Sequence, residues 1–396
     1  MFSKEKDKNI ILYYIYYFLL NVRFSRGVLL LYCLSLEISL LEFGTIQSFY
    51  FFSKVLLEIP SGILADRYRK KNMLTFGTAI CSLTYLSFFL VPFTNIAVFP
   101  TLIFLFSLDA IGSAFISGTD QSVLYEYLQS NQRQDEFIRV FGNAQITGLF
   151  ILSIATALGG EIYSWGFSIV FLIQSIFYFM AIFAVFFMKE YEIVRETNKI
   201  THQSLLEQLK KIWVCLNLNK NISCLILFMT LLEVYANFLM SFIQGAFSDV
   251  GVTNSVVSLI IGGATFIGIL GTYSSRFFEN LNLSYFILIF SVFFVTGCVL
   301  LSLNQVILLL VGFFLINILV DAAYPYVSNG LNNNLENSMR SSILSIFSTI
   351  ISLISLLMYP ILGWLVDNLD YSFTFISVGA MFFLGMFFLC IYSYRR

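Results

Sequence analysis

Charged residues are scarce in this chain: they make up 11% of its 396 residues, against roughly 25% in soluble domains. With 58% hydrophobic residues and a mean hydropathy of +0.85, a water-soluble globular protein is excluded. Histidine is scarcer still. His202 is the only one, which rules out histidine-cluster metal sites, and no nucleophile stands beside a base in a recognisable arrangement. The six cysteines, Cys33, Cys81, Cys215, Cys224, Cys298 and Cys390, contain no Cys-x-x-Cys pair, so neither a disulfide framework nor a thiolate metal site is expected. A phosphate-cradling glycine-rich loop is also missing, so ATP does not drive the protein directly. No cofactor is expected, and a net charge of -1 gives no sign of nucleic-acid binding.

Apolar runs of about 20 residues recur along the whole chain, each long enough to cross a hydrocarbon core of roughly 30 Å as a helix. They predict twelve spans: 10–32, 42–65, 72–91, 97–119, 139–160, 166–188, 221–244, 254–276, 283–302, 304–328, 342–366 and 372–393. A transmembrane barrel is excluded, because its strands are about ten residues long with alternating polarity. The first span carries Arg23 and Arg26 and lacks a small-residue cleavage site, so it reads as a retained helix and not as a signal peptide. The longest connection, 189–220, separates two sets of six. The expected fold class is therefore all-α integral membrane, with residues 1–188 and 221–396 as pseudo-symmetric six-helix bundles. In the linker, Leu205, Leu206, Leu209, Ile212 and Trp213 alternate with Glu207, Gln208, Lys210 and Lys211. That pattern suits a helix lying on a membrane surface and touching anionic lipid.

The basic residues set an orientation. Lys4, Lys6 and Lys8 precede span 1; Arg67, Arg69, Lys70 and Lys71 follow span 2; Arg133 and Arg139 follow span 4. Six more, Lys189 to Lys220, lie in the linker; Arg276 follows span 8, Arg340 follows span 10, and Arg395 and Arg396 end the chain. That puts 19 of the 22 Lys and Arg residues on one face. The opposite loops hold only acids, among them Glu37, Glu42, Glu161, Asp249, Asp367 and Asp370. By the positive-inside rule both termini are cytoplasmic, with the protein in the cell membrane.

Where span 2 meets the basic face the sequence reads EIPSGILADRYRKKN, from Glu58 to Asn72. It resembles the loop between helices 2 and 3 of the major facilitator superfamily, G-x-L-a-D-r-x-g-r-k, with Gly62, Leu64, Asp66, Arg67, Arg69 and Lys70 in the matching places and Tyr68 where glycine is common. A small residue at Gly62 lets another helix approach. A carboxylate such as Asp66 at the membrane boundary accepts bonds from basic groups or from a helix N-terminus. Together these residues suit a conformational latch, although the basic cluster could serve topology alone. A degenerate copy follows span 8, where Gly271 and Arg276 keep the spacing and Ser275 replaces the acid.

Residues 117–128, SGTDQSVLYEYL, are similar to a run in one bacterial branch of the superfamily, with Glu126 where that branch often has Asp. Arg340-Ser-Ser-Ile-Leu-Ser is similar to its RATILS run. The glycine- and proline-rich motif of drug-proton antiporters in helix 5 survives only as Gly159 and Gly160, with Ala155 and Thr156 in its middle positions, which weakens a drug-antiporter reading. The helix 4 arginine usual in the superfamily is replaced in that region by Asp109.

Ionisable groups at membrane depth normally face a protein interior or a watery cavity. Here they are Arg23 and Arg26 in span 1, Lys54 and Glu58 in span 2, Asp109 in span 4, Glu233 in span 7 and Asp321 in span 10. The resemblance implies that spans 1, 4, 7 and 10 line the central cavity, and five of these seven charges lie on them. Helical spacing extends two of them into polar stripes: Thr230, Glu233, Asn237, Ser241 and Gln244 on span 7, and Asn317, Asp321, Tyr324 and Ser328 on span 10. Basic span 1 is expected to face the acids of spans 4, 7 and 10, and Lys54 to pair with Glu58 four residues on. Tyr235 and Tyr324 are expected cavity aromatics, while Tyr13, Tyr14, Tyr16 and Tyr17 read as an interfacial belt.

A carboxyl holds its proton more tightly on burial and less tightly beside a guanidinium. A moving helix that swaps those influences would couple protons to transport, with Asp109, Glu233 and Asp321 as equal candidates. The function expected is secondary transport of a small organic compound by alternating access, as proton-coupled efflux or as uptake by the same fold. A membrane-embedded enzyme is the disfavoured alternative. The fold commonly works as a monomer.

Overall fold

The computed structural model describes residues 8–67, 69–189, 220–278, 281–334 and 337–394, without side chains at 58–67, 220–221, 332–334, 337–346 and 390–394. The described residues are all helix and connections. The helices are α1 (Lys8–Leu20), α2 (Leu29–Ser35), α3 (Leu40–Arg67), α4 (Lys70–Leu90), α5 (Val98–Ile116), α6 (Thr119–Ser130), α7 (Phe137–Trp165) and α8 (Ile169–Phe187). After the linker come α9 (Lys220–Asp249), α10 (Asn254–Ser274), α11 (Leu283–Ser302), α12 (Val306–Asn334), α13 (Asn337–Leu369) and α14 (Tyr371–Tyr394). The surface helix expected in 189–220 lies outside the described residues.

Ten helical segments among the described residues are long and apolar enough to cross a membrane, and the bent pair at the start makes an eleventh. Helix α3 occupies the expected second span. It is 28 residues long but carries Glu42, Lys54 and Glu58, and it falls outside those eleven. Phenylalanines divide as a bilayer demands: Phe183, Phe187 and Phe388 are exposed, whereas Phe228, Phe238, Phe242, Phe286 and Phe290 are fully buried between helices.

The first span differs from the expected continuous helix. Helix α1 stops at Leu20, a tight turn covers Phe24–Gly27, and α2 continues after a 47° bend. A break inside a bilayer is tolerated only where protein takes up the freed backbone groups, and two glutamines do so. The Ser25 N–H donates to Gln174 Oε1 of α8 at 3.0 Å. Gln244 of α9 accepts from the Leu30 N–H at 3.0 Å and donates to the Arg26 carbonyl at 3.1 Å. The fourth span also breaks, at Gly118 with φ 76°, before continuing as α6.

Small residues bring helices to backbone contact in the same way in the set of helices before the linker and in the set after it. Gly77 of α4 meets Gly112 of α5, and Gly297 of α11 meets Gly312 of α12. Between the two sets, α3 packs on α13 and α7 on α10. A line of cross-set hydrogen bonds runs from mid-depth to the acidic face, among them Ser48 Oγ to Leu356 O at 2.5 Å, Ser153 Oγ to Gly262 O at 2.8 Å, Gly160 N to Ser258 Oγ at 2.8 Å and Ser255 Oγ to Glu161 Oε2 at 3.1 Å. Such seams hold the acidic-face ends of the two sets together.

Two tyrosine assignments change. Tyr13 and Tyr16 are buried in the core around α1 and not spread on an interface. Tyr235 is buried edge-to-face against Phe382 of α14 and not in the cavity, because its side of α9 is the one that packs within the second set.

Candidate functional site

Both span 1 arginines stand on the break, where the chain is free of helical periodicity and the side chains splay to different neighbours. Arg23 is exposed although it lies deep in the bundle. Its Nε donates to the Leu20 carbonyl at 3.3 Å, and its guanidinium lies in the field of Tyr178 of α8. The carboxylate in its field is Asp109 of α5, with Tyr85 of α4 beside it. Tyr85 and Tyr178 stack at 5.3 Å between centroids, while Tyr50 of α3 also lies in the field of this cluster. The groups acting on Asp109 thus come from the first set of helices.

The other two carboxylates face charges across the boundary between sets. Asp321 of α12 sits so tightly on Gly268 of α10 that a methyl group there would collide with its carboxylate, and Gly271 backs its Cβ. The cation acting on it is Arg26, whose Nη2 reaches Met240 Sδ of α9 at 3.4 Å. Glu233 of α9 is half-buried, and its Oε2 is buried with no hydrogen-bond partner. The cation acting on it is Lys54 of α3. Lys54 thus acts on a carboxylate of α9, while the expected pair with Glu58 lies outside the described side chains.

Asn237 is exposed one turn beyond Glu233, and its backbone carbonyl accepts from Ser241 Oγ at 2.9 Å. Asn317 turns its amide onto the Phe313 carbonyl of its own helix at 2.8 Å. Tyr324 is 56% exposed. Tyr50, Tyr85, Tyr178 and Gln174 escaped the sequence reading. Gln174 left one signal, as the lone amide in the apolar run of α8.

On the basic face, Gly62, Asp66 and Arg67 fall on the last turns of α3, with side chains outside the described residues. Arg69 is the N-cap of α4 and makes no side-chain cap bond. Lys70 forms a largely buried ion pair with Glu126 of α6 at 2.6 Å. Lys71 Nζ donates to the Phe186 and Met188 carbonyls at 2.6 and 2.8 Å, neutralising the C-terminus of α8. The Lys70–Glu126 pair borders a cavity of ≈ 510 Å³ lined also by Gln121, Tyr125, Gln129 and Phe137. Breaking such a pair leaves a poorly solvated charge. Glu126→Gln is expected to cost about 1–3 kcal/mol, seen as a lower unfolding temperature in detergent, and the reversed pair Lys70→Glu with Glu126→Lys should recover most of it.

An all-helical bundle with up to eleven apolar spans among its described residues has the architecture of a membrane carrier. The model of the Major Facilitator Superfamily matches residues 12–303, and the chain belongs to that superfamily. It is a multi-pass secondary transporter, not an enzyme. Among solved structures, the nucleoside transporter NupG superposes with a TM-score of 0.78 at 14% identity, covering 100% of each chain. A bacterial homologue of the human lysosomal transporter Spinster, in an inward-facing and occupied conformation, gives 0.73 at 13% identity over 98% of this chain and 95% of that one. A D-xylose-proton symporter gives 0.72 at 12% identity over 96% of each. Identities this low make the likeness one of fold alone. No curated protein matches in sequence.

Proposed function

We propose that this protein carries a small polar organic compound across the cell membrane by proton-coupled alternating access, in the direction of efflux. Two six-helix units, 1–188 and 221–396, rock about the site between them, joined by 189–220 and in contact with membrane lipid. One observation supports the coupling: Glu233 lies in the field of Lys54, and Asp321 in that of Arg26, each cation belonging to the other set. A rigid-body movement alters only interactions that cross its boundary, so these two carboxylates gain and lose a cation as the units rock, and their hold on a proton changes with it.

Asp109 keeps its neighbours Arg23 and Tyr85 through the movement. Arg23, Asp109, Asn237 and Tyr324 are then assigned to the substrate, which meets a guanidinium, a carboxylate, an amide and aromatic rings, a set suited to a zwitterion or a polar aromatic compound. With both termini in the cytoplasm, the seams at the acidic face close the outer end. Gly62, Asp66, Arg67, Arg69 and Lys70 latch the inner face in the opposite state. Efflux rests on the branch resemblance of residues 117–128; uptake by the same machinery is the second reading, and the fold neighbours include a proton symporter.

The test is substrate-induced proton movement in proteoliposomes holding a pH-sensitive dye, against a panel of zwitterionic, cationic and anionic compounds. A compound should dissipate an imposed pH gradient, with the response lost in Asp321→Asn. A compound that is transported with no proton movement would overturn coupling.

A further inference from the structure

At the acidic face the two sets are also joined by a residue with no part in the coupling above. Asp367, in the last turn of α13, accepts from the N–H groups of Leu40 and Leu41, the first residues of α3, at 3.1 and 2.7 Å. A carboxylate on two free amides of a helix N-terminus is a charge-assisted cap, and here the cap and the helix belong to different sets. The two helices run antiparallel beneath it. Gly363 lies against the Leu40 carbonyl, Gly44 against the Tyr359 carbonyl, and Ser48 Oγ bonds the Leu356 carbonyl at 2.5 Å.

The sequence repeats a pattern here. Helix α3 ends on Gly62-Ile-Leu64-Ala-Asp66, and α13 ends on Gly363-Trp-Leu365-Val-Asp367. Because α3 and α13 are antiparallel partners, the two copies stand at opposite faces of the protein.

We propose that Asp367 is the outer gate latch, the counterpart at the acidic face of the Asp66 latch, holding α13 to α3 while the outer end is shut and releasing when it opens. This deepens the alternating-access reading and rests on it. Asp367 is a positioning residue: it touches neither substrate nor proton path and acts by setting how often the outer end is closed. Asp370 provides the contrast three residues on. Its Oδ1 caps the Phe373 N–H at 2.8 Å inside its own set, so it has no lever on the gate.

The experiment places spin labels at Phe93 and Leu303, exposed positions at the acidic-face ends of α4 and α11, in the full-length protein with its cysteines replaced, and reads their separation by double electron–electron resonance. Asp367→Ala should raise the ratio of long-distance to short-distance populations about tenfold, the shift expected when a charge-assisted cap is lost. Asp367→Asn, which folds as an isostere, should raise it less, and Asp370→Asn should leave it unchanged. Distances identical to wild type in both Asp367 variants would overturn the latch. So would an equal shift in Asp370→Asn, which would mark general loosening. The readout needs no substrate, so failure of the proposed transport activity would leave the latch result standing on its own.

Discussion

Glu233→Gln is expected to abolish proton-coupled transport while leaving the protein folded. The amide cannot carry the proton, and Lys54 loses the carboxylate that faces it from the opposite set. A cation left unmatched at membrane depth costs about 2 kcal/mol, so the variant should also unfold at a lower temperature. The companion change Lys54→Gln separates the two effects. If the charges act on each other, the double variant recovers most of the lost stability, since neither group is then unmatched, yet it moves no protons. The measurements are a double-mutant cycle on thermal unfolding in detergent and the pH-dye assay in liposomes. Additive losses of stability would show that Lys54 and Glu233 do not interact, and normal proton flux in Glu233→Gln would remove Glu233 from the coupling path.

Gly44→Val should trap the carrier with its outer end open. A methyl at Gly44 already collides with the Tyr359 carbonyl of α13, and main chain in the middle of a helix has little room to yield. Overpacking of this kind costs about 3 kcal/mol, which displaces the equilibrium between states by roughly 150-fold. The collision exists only when α3 and α13 are together at that end, so the opposite state bears none of it. Transport should fall to a few per cent, with the label separation at the acidic face shifted to its long value. A variant that transports normally would mean that the α3–α13 seam does not move during the cycle.

Membrane location, the helical class and the approximate place of most spans were legible because each depends on a local run of apolar residues. The ninth span, expected at 283–302, is observed as Leu283–Ser302. Its length and hydropathy already satisfy the bilayer, and no neighbour needs consulting. The break in the first span was hidden for the opposite reason. Its sequence is apolar on both sides of Arg23 and Arg26, and the chain leaves the helix because Gln174 and Gln244, 149 and 214 residues distant along the chain, take up its amides.

The site was legible in its members more than in its pairings. Charges in an apolar run stand out individually, and the expectation that span 1 opposes span 10 drew attention to Arg26 and Asp321, which lie in each other's field. Lys54 was assigned by helical spacing to Glu58, the neighbour a single helix can offer and one whose side chain lies outside the described residues. Helical spacing gave no hint that Lys54 also acts on Glu233 of α9. The tyrosines around Arg23 and Asp109 gave no signal among 22 tyrosines, because an aromatic residue in a membrane helix serves lipid, packing or a cavity with the same side chain.

By itself, then, the sequence determined what has to be paid attention to by the solvent: which segments enter the bilayer, which face carries the basic residues, and which few charges enter the membrane. These are matters of transfer between water and hydrocarbon, decided residue by residue along a run. Tertiary structure alone decided which charge answers which, where the first helix breaks, and that Asp367 caps α3. Those depend on distances between residues hundreds of positions apart, which the packing of small residues such as Gly44, Gly268 and Gly363 fixes and hydropathy does not record.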